Sequence, residues 1–133
     1  MSQLGQDIPK ICPKILIVED DQDLRETMQE IFALEGFDAD AAENGKVALE
    51  KLSEPQLPCL ILLDLMMPVM TGWQFLDVVK SENAGALSNI PIVVVSAVAD
   101  LDFIKEIYQC AAMNKPADVH QLISLARQYC VQH

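Results

Sequence analysis

Short apolar runs alternate along the chain with longer segments in which apolar residues recur every three or four positions. Four of these runs are rich in Val, Ile, Leu or Ala, and they cover residues 14–18, 59–63, 90–95 and 112–114. Short apolar runs separated by helical patterns predict parallel strands that are buried on both faces. A weaker alternating segment over residues 37–41 predicts an additional strand at an edge. The pattern therefore predicts an α/β fold, a doubly wound five-stranded parallel sheet with helices on both faces.

The segments between these runs predict helices over residues 22–35, 45–52, 71–80, 100–109 and 118–129. Gly36 is suited to ending the first helix, since glycine readily adopts the left-handed conformation found there. Thr71 followed by Gln74 is a capping-box pattern at a helix start. No repeat or internal boundary interrupts the alternation, so residues 14–133 are predicted to form one domain. Residues 1–13 are predicted to be a flexible lead-in, and they do not resemble a signal peptide.

Polar residues follow four of the predicted strands, at the point where each apolar run ends. They are Glu19 and Asp20 after the first, Asp64 after the third, Ser96 at the end of the fourth, and Lys115 after the fifth; the small Ala97 follows Ser96. In open parallel sheets the functional site lies beyond the carboxyl ends of the strands. Three carboxylates, a hydroxyl and an ammonium at one edge predict a site for a divalent metal and a phosphoryl group.

Each of these residues also has a purely structural interpretation. The acids after the first strand could interact with the dipole of the following helix, and Asp21 suits the N-cap position of that helix. Asp64 could cap the turn that follows it. Ser96 could hydrogen-bond to its own backbone. What favours a site is the concentration of such residues at successive strand ends.

Composition narrows the classes of function. The 133 residues are 51% hydrophobic with a net charge of −11, and the nine basic residues form no run. Nucleic acids and anionic membranes are bound through clustered Lys and Arg, so neither is expected as a partner. Cys12, Cys59, Cys110 and Cys130 lack metal-ligand spacing, and Cys59 is predicted to be a small buried apolar residue. A chain of this size needs no disulfide for stability, and we expect a cytoplasmic location.

Five motifs, in this order, resemble those of the receiver domain of bacterial two-component response regulators. They are Val18-Glu19-Asp20-Asp21, Asp64-Leu65-Met66-Met67-Pro68, Thr71-Gly72, Ser96-Ala97 and Lys115-Pro116. The resemblance covers residues 14–131 and implies a flavodoxin-like sheet with strand order 2-1-3-4-5.

The resemblance also implies a role for each site residue. Asp64 is the implied phosphoacceptor. Mg²⁺, or alternatively Mn²⁺, is bound by Asp20, Asp64 and the backbone carbonyl of Met66, with Glu19 acting through water. Ser96, Ala97 and Lys115 are implied to contact the phosphoryl group, and a cis bond is implied before Pro116.

The implied function is that of a stand-alone receiver, since no further domain follows the last predicted helix. It takes a phosphoryl group from a sensor histidine kinase or a histidine phosphotransfer protein and changes a surface that a downstream protein binds. Such a domain catalyses only its own phosphorylation and slow dephosphorylation. An aspartyl-phosphate phosphatase is disfavoured, because Met66 stands where a second Asp would be needed.

Several positions depart from the family pattern. Ala112 replaces the usual aromatic before the Lys, Ala117 replaces a common Phe after Lys-Pro, and the segment between Ser96 and Lys115 is short. A phosphorylation-independent interaction module is therefore the alternative function. In receivers two side chains flank the path of the hydrolytic water, and the resemblance assigns these positions to Met66 and Val98, neither of which can orient water. They predict a long-lived aspartyl phosphate.

Overall fold

The computed structural model describes residues 13–97 and 101–130, which form a five-stranded parallel sheet with helices on both faces. The strands are β1 (Lys14–Val18), β2 (Asp38–Ala42), β3 (Leu60–Leu63), β4 (Ile92–Ser96) and β5 (Ala111–Asn114). The helices are α1 (Gln22–Leu34), α2 (Gly45–Lys51), α3 (Gly72–Val79), α4 (Leu101–Tyr108) and α5 (Val119–Cys130). A short 3₁₀ helix over Gly85–Asn89 precedes β4.

The strand order in the sheet is β2-β1-β3-β4-β5, as predicted. The strand order reverses between β1 and β3, so α1, which follows β1, and α3, which follows β3, cover opposite faces of the sheet. Residues 1–12 hold nearly all of the predicted lead-in and lie outside the described residues.

Two apolar cores lie on the two faces of the sheet. One packs α2, α3 and α4 against the sheet and includes Phe75 and Ile104, both fully buried. The other packs α1 and α5 against the opposite face and includes Phe32 and Leu122. Burial on both faces explains why β1 and β3 read as uninterrupted apolar runs.

The predicted helix boundaries agree with the caps that the structure places there. Asp21 is the N-cap of α1 and accepts a hydrogen bond from the Leu24 amide at 3.1 Å. Thr71 and Gln74 form the expected capping box at α3. Gly36 has a φ of 95°, the left-handed conformation expected after a helix end. Among the described residues, no helix combines the length and the apolarity that crossing a lipid bilayer requires.

The prediction for the cysteines is wrong. Cys59 is half-buried and forms a disulfide with Cys130, with their Cα atoms 5.3 Å apart across a sequence separation of 71 residues. The amide of Cys59 donates to the carbonyl of Lys14, which holds it at the start of the sheet where the end of α5 arrives. Spacing along the chain could not indicate this contact, because only the fold creates it. Disulfides are rare in a reducing compartment, so the expectation of a cytoplasmic location loses the support of the cysteine pattern.

Candidate functional site

The sheet's hydrogen bonding continues past the strand ends and fixes the backbone of three site residues. The Glu19 amide donates to the Ala42 carbonyl and the Asp64 amide to the Val18 carbonyl, each at 3.0 Å. The Lys115 amide donates to the Ser96 carbonyl at 3.0 Å. The predicted strand-end residues are therefore brought together at one edge by the same backbone pairing that forms the sheet.

Glu19, Asp20 and Asp64 form an acidic cluster in which one carboxylate oxygen from each lies within 4.8 Å of the others. Glu19 and Asp64 are buried, at 6% and 5% exposure, whereas Asp20 is exposed. Closely spaced hard oxygen donors with one open side suit Mg²⁺, which usually binds one or two carboxylates and keeps several waters. The donor set therefore fits the divalent metal that the sequence predicts.

Lys115 is the cation that offsets part of this negative charge. Its Nζ donates to Glu19 Oε1 at 2.8 Å and lies 3.4 Å from Asp64 Oδ2. Burial lowers the pKa of Lys115, but the contacts with Glu19 and Asp64 outweigh it and leave that pKa raised. Burial, with a smaller contribution from the Asp64 charge, raises the pKa of Glu19 against the opposing effect of Lys115. Lys115 thus stays charged at neutral pH, beside Asp64.

Arg25 contributes to the site and was not predicted from the sequence. Its Nη1 donates to the backbone carbonyls of Glu19 at 2.8 Å and Asp20 at 3.3 Å. Arg25 lies on α1, so this contact ties the loop carrying both acids to the helix that follows it. A side chain that binds carbonyls leaves no sequence motif. The only available signal was an arginine within one turn of an acidic loop.

The loop that leaves Asp64 turns sharply. The Met66 amide donates to Asp64 Oδ1 at 3.3 Å, while the Met66 side chain is 62% exposed. Val69 has a φ of 69°, a conformation that is strained for a β-branched residue. The Met70 amide donates to the Pro68 carbonyl at 2.8 Å and closes the turn around Val69. Backbone strain of this kind persists only where the surrounding structure enforces it.

Gly72 allows α3 to approach the backbone that carries Asp64. A Cβ at this position would lie 2.4 Å from the Asp64 carbonyl oxygen and 2.6 Å from the Leu65 Cα. The Gly72 amide donates to the Leu65 carbonyl at 3.0 Å. The Thr71-Gly72 pair in the sequence therefore combines a helix cap with a position where a side chain cannot be accommodated.

The remaining predicted site residues lie at the ends of β4 and β5. Ser96 is fully buried at the end of β4, and Ala97, the next residue, is exposed. The Lys115–Pro116 peptide bond is cis, as the resemblance implies. Ala112 packs with the core beneath α2, α3 and α4, whereas Ala117 packs with the core beneath α1 and α5. Val98, the second predicted lifetime residue, lies outside the described residues.

Comparison with known proteins identifies the family. The family model of the response regulator receiver domain matches residues 15–127. Sporulation initiation phosphotransferase F of Bacillus subtilis is 32% identical over 119 residues, which cover 87% of this chain and 92% of that protein. The regulatory protein AtoC of Escherichia coli is 31% identical over 112 residues, covering 82% of this chain and 23% of AtoC. This chain thus spans about a quarter of the length of AtoC and nearly all of the length of the Bacillus protein.

A solved structure agrees with the fold. The phosphorylated cyanobacterial phytochrome response regulator RcpA aligns with a TM-score of 0.73 and 27% identity, over 90% of this chain and 94% of that one. The family match spans most of the chain, and the relative of similar length is aligned almost end to end. The chain belongs to the response regulator receiver domain family.

Proposed function

We propose that this receiver domain accepts a phosphoryl group on Asp64 in a Mg²⁺-dependent reaction, with a phosphohistidine of a sensor kinase or phosphotransfer protein as the donor. One observation carries the proposal. The Asp64 carboxylate lies 3.4 Å from the Lys115 ammonium and within 4.8 Å of the two other acids. That arrangement offers a nucleophile, a fixed cation and a cation-binding cluster at one point.

In the proposed reaction an Asp64 oxygen attacks phosphorus and forms a P–O bond as the P–N bond to the donor imidazole breaks. The leaving nitrogen keeps the electron pair and takes up a proton. Catalysis of this kind depends mainly on positioning and on charge stabilisation. Lys115 would stabilise the phosphoryl oxygens, and its contact with Asp64 would be exchanged for one with the new group.

Glu19, Asp20, Asp64 and the Met66 carbonyl would hold the Mg²⁺. When bound, the ion would neutralise charge between the carboxylates and the phosphoryl oxygens. Arg25 would keep the Glu19–Asp20 loop in position through its two carbonyl contacts. The Ser96 hydroxyl would donate to a phosphoryl oxygen, and the small Ala97 would leave room for the donor.

The direct test is phosphorylation by acetyl phosphate with Mg²⁺, followed by intact mass. The parent should gain one phosphoryl group, and Asp64→Asn should gain none. Asp38→Asn is a matched control, because it makes the same change on the edge strand β2, away from the site. Labelling of Asp64→Asn, or equal labelling in excess EDTA, would refute the mechanism. Absence of labelling in the parent would favour the phosphorylation-independent module.

We also propose a long-lived aspartyl phosphate. Met66 lies two residues after Asp64, and its exposed side chain has no group that can orient or deprotonate a water molecule. Replacing it by Asn together with Val98→Glu should accelerate loss of the phosphoryl group by about 10²-fold, the typical contribution of a positioned general base. Decay is followed after removal of the donor. Equal decay rates in parent and variant would show that these positions do not control the lifetime.

A further inference from the structure

A cavity of about 390 Å³ lies between α1 and the segment that joins β5 to α5. The sheet contributes Ile17, Leu62 and Val95 to its wall, and α1 contributes Met28 and Ile31. Apolar side chains therefore line both sides of a space that the core beneath α1 and α5 does not fill. Leu24 also lines the cavity and is 37% exposed, which puts the cavity within reach of solvent.

Ala117 is the residue that leaves this space open on the β5 side. It lies in the wall with Pro116 and Val119, and its side chain is a single methyl group. The space is open to solvent on one side and is therefore a cleft and not an enclosed void. Its volume of about 390 Å³ falls within the range of small-molecule sites.

The charges in the wall decide which ligand fits. One end of the cavity is lined by charged side chains, namely Glu19 and Asp64 of the acidic cluster and Lys115. The Lys115 ammonium contacts the two carboxylates at 2.8 and 3.4 Å. Without a bound divalent cation, an anion placed there would face two carboxylates and an ammonium that is already paired, so charge disfavours it in the metal-free protein. Thr27 is the one neutral polar side chain among the described residues lining the cavity. It offers a hydroxyl to a ligand with one hydrogen-bonding group.

We propose that this cavity is a binding site for a small neutral aromatic molecule of one or two rings. The ligand would pack between α1 and the sheet and bury its apolar surface there, which is favourable in proportion to the area removed from water. Val18 and Leu63 line the cavity and directly precede Glu19 and Asp64, so a ligand would contact the strand ends that carry the acids. The proposal does not depend on phosphorylation, because it concerns binding alone.

Indole is the probe, since it is neutral, has two fused rings and carries one N–H. Titration of the unphosphorylated protein is followed by methyl NMR. Saturable shifts are expected for Met28 and Ile31, together with contacts between indole ring protons and the Met28 methyl group. The methyl groups of Val79 and Ile104, in the core on the opposite face, should not shift. Absence of saturable shifts, or shifts of the opposite core instead, would overturn the proposal.

Two alanine substitutions locate the site. Ala117→Phe should fill the cavity and weaken indole binding by about tenfold or more. Ala112→Phe is the matched control, because Ala112 is also half-buried but packs on the opposite face of the sheet. It should bind indole as the parent does. Equal affinity in the two variants would overturn the proposal.

Ala117→Leu provides a smaller change if Ala117→Phe does not fold, and an intermediate loss of affinity is expected. Indole-3-carboxylate tests the charge argument and should bind more weakly than indole. Equal or tighter binding of the carboxylate would refute a site selective for neutral ligands. The NMR contacts between indole and Met28 are measured in the parent protein, so they test where the ligand binds even if neither Ala117 variant folds.

Discussion

Replacing Gly72 by Ala would test how closely the proposed acceptor depends on its packing against α3. The new Cβ would lie 2.4 Å from the Asp64 carbonyl oxygen and 2.6 Å from the Leu65 Cα. Both are backbone atoms, so neither can rotate away. An ordinary carbon–oxygen contact is about 3.3 Å or more, so α3 or the Asp64 backbone must shift by roughly 1 Å.

The expected magnitude follows from that shift. Forcing an extra carbon into a close-packed site costs about 1–3 kcal/mol in unfolding free energy. A displacement of roughly 1 Å at a reacting group can reduce a rate by about 10²-fold. We therefore expect Gly72→Ala to lose stability and to be phosphorylated on Asp64 far more slowly than the parent.

Gly45→Ala is the matched control. Gly45 also begins a helix directly after its N-cap and is buried, but its added Cβ would meet the Met70 side chain, at 2.8 Å from Cγ. A flexible thioether side chain can move aside, so the effect should be smaller. The assays are urea unfolding and the rate of phosphorylation by acetyl phosphate, followed by intact mass.

The two readouts separate the possible failures. Parent-like stability and parent-like labelling of Gly72→Ala would refute the packing argument. An equal loss in Gly45→Ala would show that any added carbon at a helix start has this effect. If the parent itself is not labelled, the proposed function fails while urea unfolding still tests the packing.

Three further predictions concern the acids and the disulfide. Asp20→Asn should raise the melting temperature of the metal-free protein, because it relieves repulsion within the acidic cluster, and it should weaken Mg²⁺ binding. Mg²⁺ at 100 times its dissociation constant should stabilise the parent by about 2.7 kcal/mol. A parent melting curve that does not respond to millimolar Mg²⁺ would contradict the metal site. Cys130→Ser removes the disulfide to Cys59, which spans a sequence separation of 71 residues, and should cost about 4 kcal/mol of unfolding free energy on the chain-entropy model. A reductant should lower the urea midpoint of the parent and leave that of the variant unchanged. A parent whose urea midpoint does not respond to reductant would count against the disulfide. Burial raises the pKa of Asp40, but the hydrogen bond from Lys51 outweighs burial and leaves that pKa below its ordinary 3.8. Asp40→Asn should therefore cost up to about 1 kcal/mol of unfolding free energy above that pH. Because the stabilisation needs the ionised carboxylate, the difference in melting temperature between parent and variant should disappear as the pH falls below 3.8, and a constant difference would refute the ion pair.

The strands and their polar ends could be predicted because both are local properties of the chain. An apolar run that stops at Asp64 or Lys115 marks a strand end whatever the rest of the fold, and parallel strands bring such ends to one edge. The strand order could not be read from these patterns and came from the resemblance to receivers. The short 3₁₀ helix over Gly85–Asn89 was missed, since a single tight turn has no hydrophobic periodicity.

The features that were missed at the site and in the core depend on contacts between distant residues. Arg25 binds backbone carbonyls, which every residue has, so its partners are not visible in the sequence. Cys59 meets Cys130 only because α5 returns to the start of the sheet. Ala117 was recognised as a departure, but the cavity it borders depends on the positions of α1 and β4 together.

The acidic edge strand β2 has a consequence for how copies of this protein meet. β2 carries Asp38 and Asp40 in alternation with alanines and pairs on one side with β1, and no described strand pairs with its other side. Side chains satisfy part of that edge, since Gln29 donates to the Ala39 carbonyl and Asp40 accepts from the Ala41 amide. An unprotected edge is a template for sheet extension between molecules. Two such edges brought together would bring exposed Asp38 carboxylates close to one another, and these repel, whereas Asp40 is already paired with Lys51. Asp38 therefore acts against edge-to-edge aggregation, and neutralising it should make such aggregation easier.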